Sequence, residues 1–265
     1  MTPLATIIIP LKGQNDAWLS QCVASAIRQS VPCEVIVVHA AATPASNLQI
    51  LRQHQAVAKD LRVFVEETPG SFPAAINLGI RCATASRIGL LLSDDWLEPE
   101  TVELCMPRTA DIVCTGLTMY LADGVTVNQG GSQTLSMAEY QALPTLQQRA
   151  SYLQHFFLFQ REALLRAGGL DETIGNFPGI DDYDLIWTML EHQATVAIVE
   201  RRLYNYRDHR EERLTLAEAR EAAFNMEKIL RKHGVDPERA EQLLKDHSRW
   251  YGRPIHEVLA EDGLG

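Results

Sequence analysis

The chain predicts an α/β fold: a mostly parallel central sheet flanked by helices, with a helical appendage at the C-terminal end. Three observations carry this. Short apolar runs such as Ile7-Ile8-Ile9, Val35-Ile36-Val37-Val38 and Ile88 to Leu92 read as strands buried on both faces. Amphipathic helical stretches separate them, and strand–helix alternation means right-handed crossovers in a parallel sheet. The run ending at Leu92 stops at Ser93 and two adjacent carboxylates, Asp94 and Asp95. Acids there sit at the carboxyl rim of the sheet, where open α/β sheets bind ligands.

The elements follow in order. Ala5 to Pro10 is a β-branched strand stopped by proline. Asn15 or Asp16 caps a helix to about Gln29 whose apolar stripe is Leu19, Cys22, Val23, Ala26 and Ile27. Glu34 to Val38 is the second strand; a loop from His39 to Pro44 leads to a polar helix over Ser46–Lys59, and Leu61 to Val65 is the third strand. Gly70-Ser71-Phe72-Pro73 turns into a helix over Ala74–Ala83 that feeds the Ile88 strand. Beyond Pro99 come a short helix to Met106, a strand over Asp111–Tyr120 and an Asp123-Gly124 hairpin turn into Val125-Thr126-Val127. Phe156 to Phe159 is a buried strand, and Arg161 to Ala167 a helix closed by Gly168-Gly169. After a turn over Gly175–Gly179, Asp181-Asp182 opens a helix over Tyr183–His192. Thr195 to Val199 is a strand, followed by Leu203 to Tyr206. From Thr215 the chain is helical and charged, with Ala219, Ala222, Phe224, Met226, Ile229 and Leu230 apolar and a break at Gly234 to Pro237. The expected division is a domain over residues 1–214 and an extension over 215–265.

At 265 residues and 46% hydrophobic composition the chain supports a sizeable core. A net charge of −10 disfavours nonspecific nucleic-acid binding. The cysteines 22, 33, 82, 105 and 114 form no C-x-x-C pair and read as reduced core thiols. With no signal segment and no run of bilayer length, the expectation is a cytoplasmic protein, soluble or peripheral to a membrane. G-x-G-x-x-G after the first strand and a G-K-[ST] phosphate loop are both absent, which disfavours a dehydrogenase or a P-loop enzyme.

In joint order, several segments resemble family-2 glycosyltransferases of the Rossmann-like GT-A fold, over about Thr6 to Thr215. Ile7-Ile8-Ile9-Pro10 is similar to the family's first strand, and Leu19 through Val38 to its first helix and second strand. Gly70, Ala75, Asn77 and Gly79 resemble its "G…A-R-N-x-G" helix. Leu91-Leu92-Ser93-Asp94-Asp95 falls at its D-x-D metal motif. Gly168-Gly169-Leu170-Asp171-Glu172 resembles "GGFDE", Asp181-Asp182-Tyr183-Asp184-Leu185 resembles "E-D-Y-D-L", and Tyr206-Arg207-Asp208-His209 resembles "Y-R-x-H". The chain departs from the pattern at Leu92, in place of the first D-x-D acid. His39 and Ala40 stand where acids recognise the nucleotide, and Ile76 stands where the family has Arg.

The resemblance implies a transferase that moves a sugar from a nucleotide-diphosphate donor to an acceptor, with inversion. A divalent cation, Mn²⁺ or Mg²⁺, absorbs charge on the departing diphosphate. It implies Asp94, Asp95 and His209 as metal ligands and Asp182 as the catalytic base, with Asp181 and Asp184 as its neighbours in competition. Pro10, Lys12, His39, Asn77, Ser93 and Asp94 are the candidate donor-binding residues: Lys12 toward a phosphate, His39 toward the base. Each has a plainer reading. Asp181 and Asp182 suit a helix N-terminus, His209 lies in a charged run, Lys12 suits a solvated loop, and Trp96 serves a core as well as a sugar face. Two other functions stand beside the transferase. One is a GT-A-like scaffold that has lost donor binding. The other is a sugar nucleotidyltransferase, which would need a Gly-rich basic N-terminal loop that this chain lacks.

Overall fold

A computed structural model describes residues 2–66, 72–174, 181–209 and 219–246. The turns expected at Gly70-Ser71 and Gly175–Gly179, and the start of the extension at Thr215, lie outside these residues. So do the side chains of Ala219, Ala222 and Phe224.

The described chain forms an eight-stranded mixed sheet. In chain order its elements are β1 (Ala5–Leu11), α1 (Asp16–Ile27), β2 (Cys33–Ala40), α2 (Ala45–Gln55), β3 (Leu61–Glu66), α3 (Phe72–Cys82), β4 (Arg87–Leu90) and β5 (Trp96–Leu97). Then follow α4 (Thr101–Cys105), β6 (Ile112–Leu121), α5 (Met137–Ala142), α6 (Leu146–Tyr152), β7 (Phe157–Gln160) and α7 (Arg161–Arg166). The last are α8 (Asp181–Glu191), β8 (Val196–Asp208), α9 (Ala219–Lys232) and α10 (Pro237–Asp246). The spatial order is β3-β2-β1-β4-β7-β6-β8-β5. The first four strands are parallel, as their two-sided burial requires, while β7 runs antiparallel to both β4 and β6. β6 and β8 are parallel, and β5 pairs antiparallel with the far half of β8.

Two apolar layers sandwich the sheet. One holds Ile8, Ile36, Phe157, Phe159, Leu185 and Ile229; the other holds Ile7, Ile9, Leu19, Val37, Leu158 and Tyr204. Alternate residues of one strand feed opposite layers, so Ile7 and Ile8 are both fully buried. Each such side chain contributes about 1.5–3 kcal/mol.

Three expectations are adjusted. The apolar run of the fourth strand stops pairing at Leu90, although the Leu91 N–H still donates to Ile8 O at 3.0 Å. Thr195–Val199 and Leu203–Tyr206 belong to one long strand, β8, whose register against β6 shifts at Thr115, Gly116 and Leu117. The hairpin forms as expected, but as a single Tyr120–Val127 bridge. Asp123 Oδ1 accepts from Val125 N and Thr126 N, both at 2.8 Å, and Gly124 takes φ +68°.

The expected appendage is joined to the core. Met226, Ile229 and Leu230 of α9 share an apolar cluster with Leu185, Ile186 and Met189 of α8. Asp184, 3% exposed in its side chain, meets Lys232 Nζ at 2.7 Å and His233 Nε2 at 2.9 Å. The His233 ring lies flat on Trp187, with ring centres 4.2 Å apart and planes 4° from parallel. Among the described residues no helix is long and apolar enough to cross a membrane. All five cysteines are free thiols.

Candidate functional site

The carboxyl ends of β1, β2 and β4 share one rim because these strands are parallel. The chain leaving β4 carries Leu92, Ser93, Asp94 and Asp95 along this rim into β5. Pairing of Trp96 with Asn205 and Leu97 with Tyr204 then lays the acids against the end of β8. That pairing explains how residues more than a hundred positions apart meet.

Asp94 Oδ2 lies 2.7 Å from His209 Nε2. Both side chains are largely covered, and His209 Nδ1 is buried without a hydrogen-bond partner among the described residues. Asp95 is different. At 1% exposure its Oδ2 accepts from the Tyr204 hydroxyl at 2.6 Å and its Oδ1 from Arg207 N at 2.7 Å. Burial and the adjacent Asp94 charge push Asp95 well above the usual carboxylate range, against those two donors. Both oxygens of this carboxylate are engaged by β8, which it holds in position.

Arg207 is the keystone of this corner. It is 2% exposed, and its guanidinium donates to Asp94 O at 3.0 Å, Ala122 O at 3.0 Å and Gln21 Oε1 at 2.6 Å. It also lies 4.9 Å from the ring centres of both Trp18 and Trp96, a cation between two indole faces. Trp18 reaches on to His209, with ring centres 5.0 Å apart. Gly124 is required beside it: a Cβ there would collide with Arg207 Nη1, and its positive φ disfavours other residues. Trp96 takes part in this packing.

Asp182 stands in the first turn of α8 and lines a narrow cavity of about 20 Å³ with Pro10, Ile76, Leu91, Leu92 and His155. Its Oδ1 accepts from Tyr183 N at 2.9 Å, and His155 Nε2 lies 3.1 Å from its Oδ2. Burial raises its pKa, but His155 and backbone N–H groups outweigh that and hold it below the usual range. It is thus ionised at neutral pH. Asp181 is pushed the other way, by burial and by the charges of Asp182 and Asp184. Asp184 is committed to Lys232 and His233. Of the three neighbouring acids, Asp182 is the one that lines the cavity.

The two poles share a wall. The Tyr204 hydroxyl holds Asp95 beside Asp94, and its ring stacks on His155 beside Asp182, centres 5.3 Å apart and planes 25° from parallel. Sequence reasoning missed His155 and Tyr204. The only available signal was a polar residue just before a buried strand, β7, that starts at the rim.

The remaining expected residues divide. Pro10 lines the Asp182 cavity, Ser93 is half-buried on the β4 exit, and Lys12 is exposed beyond β1. His39, 8% exposed at the end of β2, has its Nδ1 2.9 Å from Ala40 O. Asn77 is committed elsewhere. Its Nδ2 donates to Leu170 O at 2.9 Å and Glu172 Oε1 at 2.8 Å, and its Oδ1 accepts from Leu170 N at 2.9 Å. It clamps the turn after α7.

Among the described residues no group of three or more His, Cys, Asp or Glu side chains could hold a metal ion. Asp94 and His209 make two ligands. Mg²⁺ and Mn²⁺ sites commonly take one or two protein ligands and complete the shell with water and substrate phosphates, so the pair fits an ion that arrives with a diphosphate.

The Glycosyl transferase family 2 model matches residues 6–168. The chain is 25% identical over 207 residues to the O-antigen biosynthesis protein RfbC of Myxococcus xanthus, covering 78% of this chain and 16% of that protein. It is 28% identical over 187 residues to a chondroitin synthase of Escherichia coli, covering 68% of this chain and 26% of that one. The chain thus spans about a quarter or less of these two relatives. Among solved structures, S. aureus TarS 1-349 in complex with UDP-GlcNAc superposes with a TM-score of 0.66 at 16% identity, covering 93% of this chain and 73% of that one. The mannosyltransferase PcManGT from Pyrobaculum calidifontis, in complex with GDP-Man and Mn²⁺, gives 0.64 at 17% identity, covering 99% and 76%. The fold is the GT-A type of these transferases.

Proposed function

Given that the chain belongs to glycosyl transferase family 2, we propose that it moves a sugar from a nucleotide-diphosphate donor to an acceptor hydroxyl, with a divalent cation bound and with inversion. The observation that carries this reading is the meeting of Asp94 and His209, with Asp182 joined to them through Asp95, Tyr204 and His155. Asp94 and His209 would hold the cation, which supplies positive charge to the departing diphosphate. Lys12 reaches toward a phosphate from the β1 exit, and His39, Pro10 and Ser93 border the nucleotide. Asp182 takes the acceptor's proton as the hydroxyl oxygen bonds to the anomeric carbon. The bond from that carbon to the diphosphate oxygen breaks, and its electron pair leaves with the nucleotide. One base and a single displacement give inversion. Asp95, Tyr204 and Arg207 hold the corner in shape.

UDP and GDP are the nucleotide parts of the donors bound by the two solved neighbours, so they are the probes of choice. Thermal denaturation with either nucleotide, with and without Mn²⁺, tests the reading. At a hundredfold excess over Kd the expected stabilisation is about 2.7 kcal/mol. It should require Mn²⁺ and disappear in Asp94→Ala. No response to any nucleoside diphosphate would favour the scaffold reading, to which Leu92, His39 and Ile76 lend weight.

A further inference from the structure

His155 occupies its place by strand register. β7 runs antiparallel to β4 with Leu90 opposite Phe157, so the residues just before β7 lie beside those just after Leu90. That is the carboxyl rim. The imidazole is pinned on several sides: one face stacks on Tyr204, it tilts against Phe157 at 5.0 Å, and its Nε2 lies 3.1 Å from Asp182 Oδ2. Its Nδ1 is buried with no hydrogen-bond partner among the described residues.

These contacts select a tautomer. A carboxylate needs a donor, so the proton belongs on Nε2. The bare Nδ1 lone pair is then the unpaired group, and a buried acceptor without a partner is tolerated better than a buried N–H without one. We propose that His155 is the positioning residue of the transfer reaction, its Nε2–H fixing the Asp182 carboxylate in the orientation that receives the acceptor proton. The proposal rests on the assignment of Asp182 as base. Asp182 needs such a partner because the rest of its cavity is mainly apolar: Pro10, Ile76, Leu91 and Leu92 offer no side-chain donor. The Tyr183 N–H holds Oδ1 at 2.9 Å, from the backbone side of the group. His155 restrains the other oxygen. Tyr204 in turn restrains His155 and, through Asp95, sets that alignment relative to Asp94.

Two substitutions separate this role from packing. His155→Phe keeps a ring to stack on Tyr204 but has no donor. His155→Gln loses the ring but carries an N–H near the position of Nε2. Release of UDP from UDP-GlcNAc, or of GDP from GDP-mannose, is followed with Mn²⁺ and water as acceptor. The expected result is a fall in kcat of roughly a hundredfold for the Phe variant, the scale of a misplaced catalytic group. The Gln variant should stay within about tenfold of the unsubstituted protein, and donor KM should be unchanged in both, since neither touches the Asp94–His209 pole. A Phe variant with full kcat, or a Gln variant as impaired as Phe, overturns the proposal. A second measurement needs no turnover. In ¹⁵N-histidine spectra near neutral pH, the resonance absent from His155→Gln should show the Nε2-protonated tautomer and lose that preference in Asp182→Ala. An Nδ1-protonated ring overturns the proposal even if both donors are refused, an outcome that would count instead against the transfer reading.

Discussion

Replacing Arg207 with lysine is expected to lower the unfolding free energy by about 3 kcal/mol. The guanidinium makes three hydrogen bonds, to Asp94 O, Ala122 O and Gln21 Oε1, from a position 2% exposed. An ammonium on a shorter, differently shaped stem reaches one of these acceptors. Two charge-assisted bonds at about 1.5–3 kcal/mol each are lost, and the lower end applies because the freed acceptors are only part-buried. Stacking between Trp18 and Trp96 weakens as well, since the planar guanidinium matches two indole faces and the ammonium does not. With a urea m-value of about 2 kcal/mol/M, the midpoint falls by about 1.5 M. Tryptophan fluorescence and far-UV circular dichroism should give coincident transitions, which licenses the two-state treatment. A midpoint shift under about 0.3 M would refute the view that this cation locks the end of β8.

Asp182→Asn should lower kcat by at least about a hundredfold while UDP affinity in Mn²⁺ stays within about twofold, measured by nucleotide release and by titration calorimetry. Gly169→Ala should destabilise by about 1–3 kcal/mol in urea: φ is +75° and a Cβ would sit 2.5 Å from Asn77 Oδ1. In a double-mutant cycle with Asn77→Ala, which itself loses the bonds to Leu170 and Glu172, the coupling energy should report the steric part. Glu34 supplies a pH test. Burial raises its pKa, but Thr6, Thr84 and Arg62 outweigh that and hold it below the ordinary value. Its stabilisation is therefore complete above the unfolded carboxyl pKa of about 4.3 and lost as pH falls through the lower folded value. The gap in Tm between the unsubstituted protein and Glu34→Gln should be constant from pH 7 to 5 and narrow progressively as pH falls below about 4.3. A gap that widens on acidification would contradict the assignment.

The parallel half of the sheet was legible because strands covered on both faces must be apolar throughout, as in Ile7-Ile8-Ile9 and Val35 to Val38. The other half was harder. β5 is two residues long, too short to show any period. β8 was read as two pieces because Glu200, Arg201 and Arg202 are exposed and charged where the register shifts. α5 and α6 are short helices in a mixed polar stretch and were not anticipated. Asp94 and His209 were legible only through the order of motifs, since their contact spans 115 positions. The hydrogen bonds of Asn77 and Asp95 were not legible in the sequence, for one reason. A side chain's hydrogen-bonding capacity is spent by its neighbours in space, and residue identity does not reveal who they are.

The salt-bridged seam between α8 and α9 bears on how the polypeptide can be shortened. Asp184 draws both of its positively polarised partners, Lys232 and His233, from beyond the point where the catalytic domain was expected to end. Cutting at residue 214 would strand a carboxylate among Leu185, Ile186 and Met189 and uncover the indole of Trp187, two turns or less from Asp182. Any shortened version of this protein must therefore run at least through His233.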